Sequence, residues 1–110
     1  PVNRWTSYGS PNKADWLEVD FGKPKTFSRV ELHIYDDRGG VQTPTSYKVQ
    51  YLSGERWVDV KGLKKSPETP KGSAKNTATF KKVTSQKIRA VFTNSGKARS
   101  GLTEFEVWEK

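Results

Sequence analysis

Apolar and polar residues alternate along most of this chain. Leu17, Val19 and Phe21 are interleaved with Glu18 and Asp20. Side chains two positions apart share one face of a β-strand, so such a segment buries one face and leaves the other in water. With Gly, Pro, Asn and Ser between the segments, the pattern predicts an all-β fold, an antiparallel β-sandwich or jelly roll. Its seven short strands are predicted at 16–21, 29–35, 47–51, 56–60, 77–83, 86–93 and 102–108.

The alternation also predicts the core, because the apolar face of each strand should turn toward the opposite layer. We expect the inside of the sandwich to contain Leu17, Val19, Phe21, Val30, Leu32, Ile34, Val49 and Val107. One connection is predicted as well. Ser53-Gly54-Glu55 separates two of the strands and is typical of a tight antiparallel hairpin.

The length and composition limit the possible classes of protein. The chain has 110 residues, the size of one domain, and no internal repeat. It has no cysteine, which excludes disulfides, thiolate catalysis and zinc–thiolate sites. The sequence contains no run of about 18 apolar residues, so it predicts no membrane-spanning helix.

The chain is basic, with 20 Lys and Arg residues against 12 Asp and Glu residues and a net charge of +8. Part of the excess lies in residues 61–76, a stretch with many Ser, Pro and Gly residues that we interpret as a mobile loop. Elsewhere the basic residues are scattered and are not interleaved with aromatic residues as in a nucleic-acid groove. The net charge therefore predicts a solvated surface that attracts polyanions. The scattered placement of the basic residues predicts no nucleic-acid partner.

Few residues could carry out catalysis. There is one histidine, His33, and it falls on the polar face of a predicted strand. Asp36 and Asp37 are adjacent and followed by glycines, which is more typical of a turn than of an acid–base pair. Since nothing pairs a nucleophile with a base, we predict that the chain is not an enzyme.

Several motifs occur in an order that is similar to one known family. The sequence contains Arg4-Trp5-Thr6-Ser7, Trp-x-x-Val-Asp-x-Gly at 16–22, Tyr-x-Val at 47–49, Arg-Ala-Val at 89–91 and Glu-x-x-Val at 104–107. Together they resemble discoidin-like domains, the coagulation factor 5/8 type C group, and family 32 carbohydrate-binding modules. The resemblance implies a galactose-binding-domain-like sandwich. It covers nearly all of residues 1–110, which we interpret as one domain that lacks the family's first strand.

The resemblance implies a ligand site on loops at one end of the sandwich. Tyr8 could stack on the apolar face of a sugar, while planar carboxylate, amide and guanidinium groups can hydrogen-bond vicinal hydroxyls. The candidate ligand-binding residues are Tyr8, Asp36, Asp37, Arg38, Gln42, Lys97 and Arg99. Most of the four tryptophans match positions that pack the sandwich in the family, so we assign them to packing.

The resemblance also implies a structural calcium ion between the first loop and the last strand. The candidate ligands are Asn3, the carbonyl of Thr103 and Glu104. Calcium takes six to eight oxygen ligands, so these three residues alone cannot complete its coordination.

These observations predict a non-catalytic, monomeric carbohydrate-binding module. It would be extracellular, from a secreted bacterial glycoside hydrolase or polysaccharide lyase that it tethers to its polysaccharide. The charge favours an acidic polysaccharide. The alternatives are a protein or cell-surface adhesion module, or a structural spacer domain. A membrane partner is disfavoured, because the two candidate loops offer only Val41 and Ala98 as apolar residues.

Overall fold

The structure, a computed structural model, describes residues 5–109 and consists of β-strands, turns and loops. The strands are β1 (Trp5–Thr6), β2 (Ala14–Ile34), β3 (Ser46–Ser53), β4 (Arg56–Asp59), β5 (Lys64–Ser66), β6 (Lys75–Thr93) and β7 (Gly101–Trp108). All pairings between these strands are antiparallel. The predicted all-β antiparallel sandwich is confirmed.

Two long strands, β2 and β6, pass through both layers of the sandwich. They pair with each other along most of their length, with register shifts between Asp20 and Lys25 and between Phe27 and Arg29. A shift of register bends a strand pair and increases its twist. Each long strand therefore replaces two of the short strands that the sequence predicts, and the bend carries both from one layer into the other.

The remaining strands extend the layers on either side of this pair. The last part of β6 pairs with β3, which pairs in turn with β4. The first part of β6 pairs with β5, while the second part of β2 pairs with β7, and β7 with β1. The predicted hairpin is present, since Ser53 pairs with Arg56 across a two-residue turn in which Gly54 has φ of 64°.

The core lies between the layers and follows the predicted alternation. Four of the residues expected inside are at most 2% exposed: Val30, Leu32, Ile34 and Val49. The other four, Leu17, Val19, Phe21 and Val107, are half-buried and pack against the core from its margin. The rings of Trp5 and Phe92, which belong to opposite layers, lie 5.7 Å apart and close the core near one end.

Candidate functional site

Three loops form one end of the sandwich: the first loop (residues 7–13), the second loop (35–45) and the third loop (94–100). Backbone hydrogen bonds connect the third loop to the other two. Ser7 N donates to Ser100 O over 2.9 Å, and Arg99 N donates to Gly40 O over 2.9 Å. The candidate ligand-binding residues lie on these loops, so the fold brings the predicted segments together on one surface.

Tyr8 stands at the centre of this surface. Its side chain is 73% exposed, and one edge of its ring lies against Gly40. A Cβ atom at position 40 would overlap the ring, so glycine allows the close approach. A shallow depression of about 290 Å³ beside the ring is lined by Gly40, Lys97 and Arg99 as well.

The two aspartates of the second loop hold the loop itself. Asp36 Oδ1 accepts from the backbone N–H of Arg38, and Asp36 Oδ2 accepts from both the side chain and the backbone of Thr43. These hydrogen bonds keep the pKa of Asp36 below its usual value, so it is ionised at neutral pH. Asp37 Oδ1 accepts from the backbone of Gly39 and Val41.

Arg38 and Gln42 lie on the same loop and differ in their availability. Gln42 donates its side-chain amide to Gly39 O over 2.9 Å, which helps to close the turn. Arg38 occupies the left-handed region with φ of 61° at an exposed position. Within residues 5–109 its guanidinium forms no hydrogen bond or ion pair, and it interacts with the Asp36 carboxylate only through its charge. The hydrogen-bond donors of the Arg38 side chain are therefore available to a ligand.

Arg99 and Lys97 belong to the third loop. Arg99 Nε donates to Ser10 O, and Arg99 Nη1 donates to the carbonyls of Lys97 and Ala98 over 3.1 and 2.9 Å. The guanidinium thus joins the first and third loops, and much of its hydrogen-bonding capacity is used there. The exposed Lys97 ammonium has no partner among the described residues.

A second depression, of about 460 Å³, lies on the other side of the first loop. Asp15, which is 8% exposed, lies in it. Burial raises the pKa of Asp15, but hydrogen bonds from Asn94, Ser10 and Asn12 outweigh burial, and the pKa lies below its usual value. The depression therefore contains a carboxylate that is ionised and already hydrogen-bonded.

Trp16 lines the same depression, whereas we predicted that most of the four tryptophans pack the sandwich. Its side chain is 49% exposed, and that of Trp108 is 43% exposed, whereas Trp5 and Trp57 are half-buried. The packing assignment is therefore incomplete for two of the four tryptophans. The alternation carried the signal, because Trp16 falls on the same outward face as Glu18.

Of the expected calcium ligands, Asn3 lies outside the described residues. Glu104 is 51% exposed, and its Oε2 lies 3.7 Å from Nε2 of His33. Ligand atoms of His33, Glu104 and Glu106 all lie within 4.8 Å of one another. Calcium prefers oxygen ligands, and with the Thr103 carbonyl these residues supply too few oxygens to complete its coordination. The calcium site stays a prediction.

Comparisons with known proteins agree with this architecture. The family model described as F5/8 type C domain matches residues 1–105. A structure of the Streptococcus pneumoniae β-galactosidase BgaA has a TM-score of 0.89 and 23% sequence identity, covering 100% of this chain and 77% of that chain. At that identity the likeness shows the fold alone. Among residues 5–109, no helix is long and apolar enough to cross a membrane.

Two further solved structures are somewhat more similar in sequence. SpGH29 is 28% identical with a TM-score of 0.70, over 97% of this chain and 21% of that chain. This chain thus spans about a fifth of that protein. Chitosan-binding module 2 of the chitosanase/glucanase from Paenibacillus sp. IK-5, in complex with chitotriose, is 27% identical with a TM-score of 0.66, over 96% of this chain and 76% of that chain.

Proposed function

Because this chain belongs to the F5/8 type C domain family, we propose that it is a non-catalytic carbohydrate-binding module with its site around Tyr8. The observation that carries the proposal is the exposed Tyr8 ring beside the depression that Lys97 and Arg99 line. An aromatic face stacks on the apolar face of a sugar, and nearby polar groups fix its orientation. The chitotriose complex of the Paenibacillus module supports a glycan as the ligand class.

We propose further that the glycan is acidic. The carboxylates of Asp36 and Asp37 accept backbone N–H groups of their own loop, which occupies both oxygens of Asp36 and Oδ1 of Asp37. The side chains of Arg38 and Lys97, by contrast, form no hydrogen bond or ion pair within the described residues, and both are cationic. A guanidinium binds a carboxylate through two parallel hydrogen bonds, which favours a uronic-acid polymer over a neutral one.

The proposed biological role is to hold a larger, secreted bacterial enzyme close to its polysaccharide. Structures of a β-galactosidase and a chitosan-binding module among the similar proteins support an association with glycan-active enzymes. We propose that the module acts as a monomer. A few hydrogen bonds that replace water contribute only about 1 kcal/mol each, so binding at one site should be weak.

Isothermal titration calorimetry with a defined set of sugars tests this function. The probes are a hyaluronan tetrasaccharide, tetragalacturonate, N-acetylchitotetraose and chitotriose. Tyr8→Ala should weaken every interaction that the unaltered protein shows. Arg38→Ala should weaken the binding of the acidic ligands by about 1–3 kcal/mol, because it removes a bidentate donor.

Lys64→Ala is the matched control for charge, because Lys64 is exposed on β5, outside the three loops. It should change only the salt dependence of binding. Loss of binding in Lys64→Ala equal to that in Arg38→Ala would mean that the net charge, and not this site, attracts the glycan. Absence of binding to every probe would contradict the proposed function.

A further inference from the structure

The surface around Tyr8 continues into the second depression, and Tyr8, Gly9 and Ser10 line both. Trp16 lines the second depression but not the first, and about half of its side chain is exposed. Tyr8 therefore stands between a basic depression and one that a second aromatic ring borders. We propose that Trp16 is a second sugar platform and that the site takes an extended glycan, with one sugar unit in each depression. This inference rests on the proposed function.

The Trp16 ring is held in place by a network on the outer face of the sheet. The guanidinium of Arg89 lies 5.2 Å from the ring centre of Trp16 and 4.3 Å from that of Trp57. Arg89 Nε donates to Gln50 Oε1 over 2.8 Å, and the Gln50 amide donates to Asp59 over 2.8 Å. A ring that is fixed before binding loses little conformational entropy when a sugar stacks on it.

The two depressions differ in charge, which specifies the class of glycan. The first depression is lined by Lys97 and Arg99. None of the described residues that line the second is Lys or Arg, and its one ionised group is the Asp15 carboxylate. Arg89, whose guanidinium lies against the Trp16 ring, donates to Gln50 and is outside this lining. An acidic sugar therefore fits beside Lys97, and a neutral sugar fits beside Trp16. A polymer in which acidic and neutral units alternate satisfies both depressions.

Hyaluronan provides the probe, because glucuronate alternates with N-acetylglucosamine along its chain. Calorimetry compares free glucuronate with the hyaluronan tetrasaccharide. Trp16→Ala should reduce affinity for the tetrasaccharide by about tenfold and leave affinity for glucuronate unchanged, since only the longer ligand reaches the ring. Tetragalacturonate, which is acidic at every unit, should bind the unaltered protein more weakly than the hyaluronan tetrasaccharide.

Trp108→Ala is the matched control. Trp108 is exposed to a similar degree, at 43%, and has its own arginine, Arg29, 5.5 Å from the ring centre, but it does not line either depression. This variant should bind the tetrasaccharide like the unaltered protein. If both variants lost the same affinity for the tetrasaccharide, the effect would be due to lost stability, and Trp16 would not be a sugar platform.

A measurement on the unaltered protein does not depend on whether the Trp16→Ala variant folds. In ¹H–¹⁵N NMR spectra, the tetrasaccharide should shift the indole N–H signal of Trp16, and glucuronate should not. If that signal is unmoved by the tetrasaccharide, Trp16 is not a platform. If tetragalacturonate binds as tightly as hyaluronan, the assignment of a neutral sugar to the second depression is wrong. Binding of some glycan in either case leaves the proposed function standing.

Discussion

Gly40 lies directly against the ring of Tyr8, so closely that a Cβ atom at position 40 would overlap ring carbons Cδ1 and Cε1. The obstacle is a flexible, exposed side chain and not the backbone. Gly40→Ala should therefore displace the Tyr8 ring, with little cost to the free energy of unfolding. We expect glycan affinity to fall in calorimetry while the melting temperature stays close to that of the unaltered protein.

A double-mutant cycle separates this effect from a general disturbance of the second loop. In a Tyr8→Ala background there is no ring to displace, so adding Gly40→Ala should cause no further loss of affinity. Additive losses would show that Gly40 acts independently of Tyr8.

Asp15 is the centre of a buried network that joins the start of β2 to the third loop. The Ser100 hydroxyl donates to Asn94 Oδ1 over 2.7 Å, which orients the Asn94 amide so that its Nδ2 donates to Asp15 Oδ2 over 2.9 Å. Asp15→Asn places two NH₂ groups against each other. We expect a loss of about 1–3 kcal/mol in the free energy of unfolding, measured by urea denaturation. Asp20→Asn, at an exposed position in β2 beside its bend, is the control and should cost less.

The lowered pKa of Asp36 predicts how the stability of the fold changes at acidic pH. Its carboxylate accepts from the Thr43 side chain and backbone and from the Arg38 backbone, so the folded state favours the ionised form. The resulting stability is present above the usual pKa of 3.8 and is lost as pH falls through the lower folded pKa. Thr43→Val removes one donor and should raise the pKa of Asp36 in a ¹³C NMR titration. Thr45→Val, whose hydroxyl donates to Thr93 O instead, should leave it unchanged.

Sequence periodicity predicted which residues turn toward the core, because the alternation decides which face of a strand is inward, but it did not predict how deeply each is buried. Val30, Leu32 and Ile34 needed no knowledge of strand order to be placed inside. Periodicity could not show that β2 continues across the bend, because Gly22 and Pro24 resemble a strand end. Nor did it reveal β5, which pairs with β6 within the stretch that we interpreted as a loop.

The candidate site, like the fold, could be predicted only in part from the sequence. The order of the motifs predicted which loops meet, but not which of their polar groups remain available. Asp37 followed by Gly39 is a pattern in which the carboxylate accepts the N–H two residues on. This pattern predicted the turn, although Asp37 is also among the candidate ligand-binding residues. The exposure of Trp16 depends on what covers the outer face of the sheet, which no local pattern specifies.

Two leucines in β2 test whether the core is concentrated where the layers face each other. Leu32 is fully buried, whereas Leu17 packs against the core from its margin and is only partly buried. Leu32→Ala should cost about 2–5 kcal/mol, since a cavity adds to the lost transfer energy. Leu17→Ala should cost less in the same urea denaturation. Equal losses would contradict the description of Leu17 as marginal.

Calcium is tested most directly through thermal stability. An ion that binds only the folded state raises the melting temperature, so we expect a higher value in calcium than in EDTA. Glu104→Gln should diminish that difference, because it removes a charged oxygen from the predicted ligands Asn3, Thr103 and Glu104. Glu55→Gln, in the exposed turn between β3 and β4, should preserve it. A melting temperature that is the same in calcium and in EDTA would contradict the predicted calcium site.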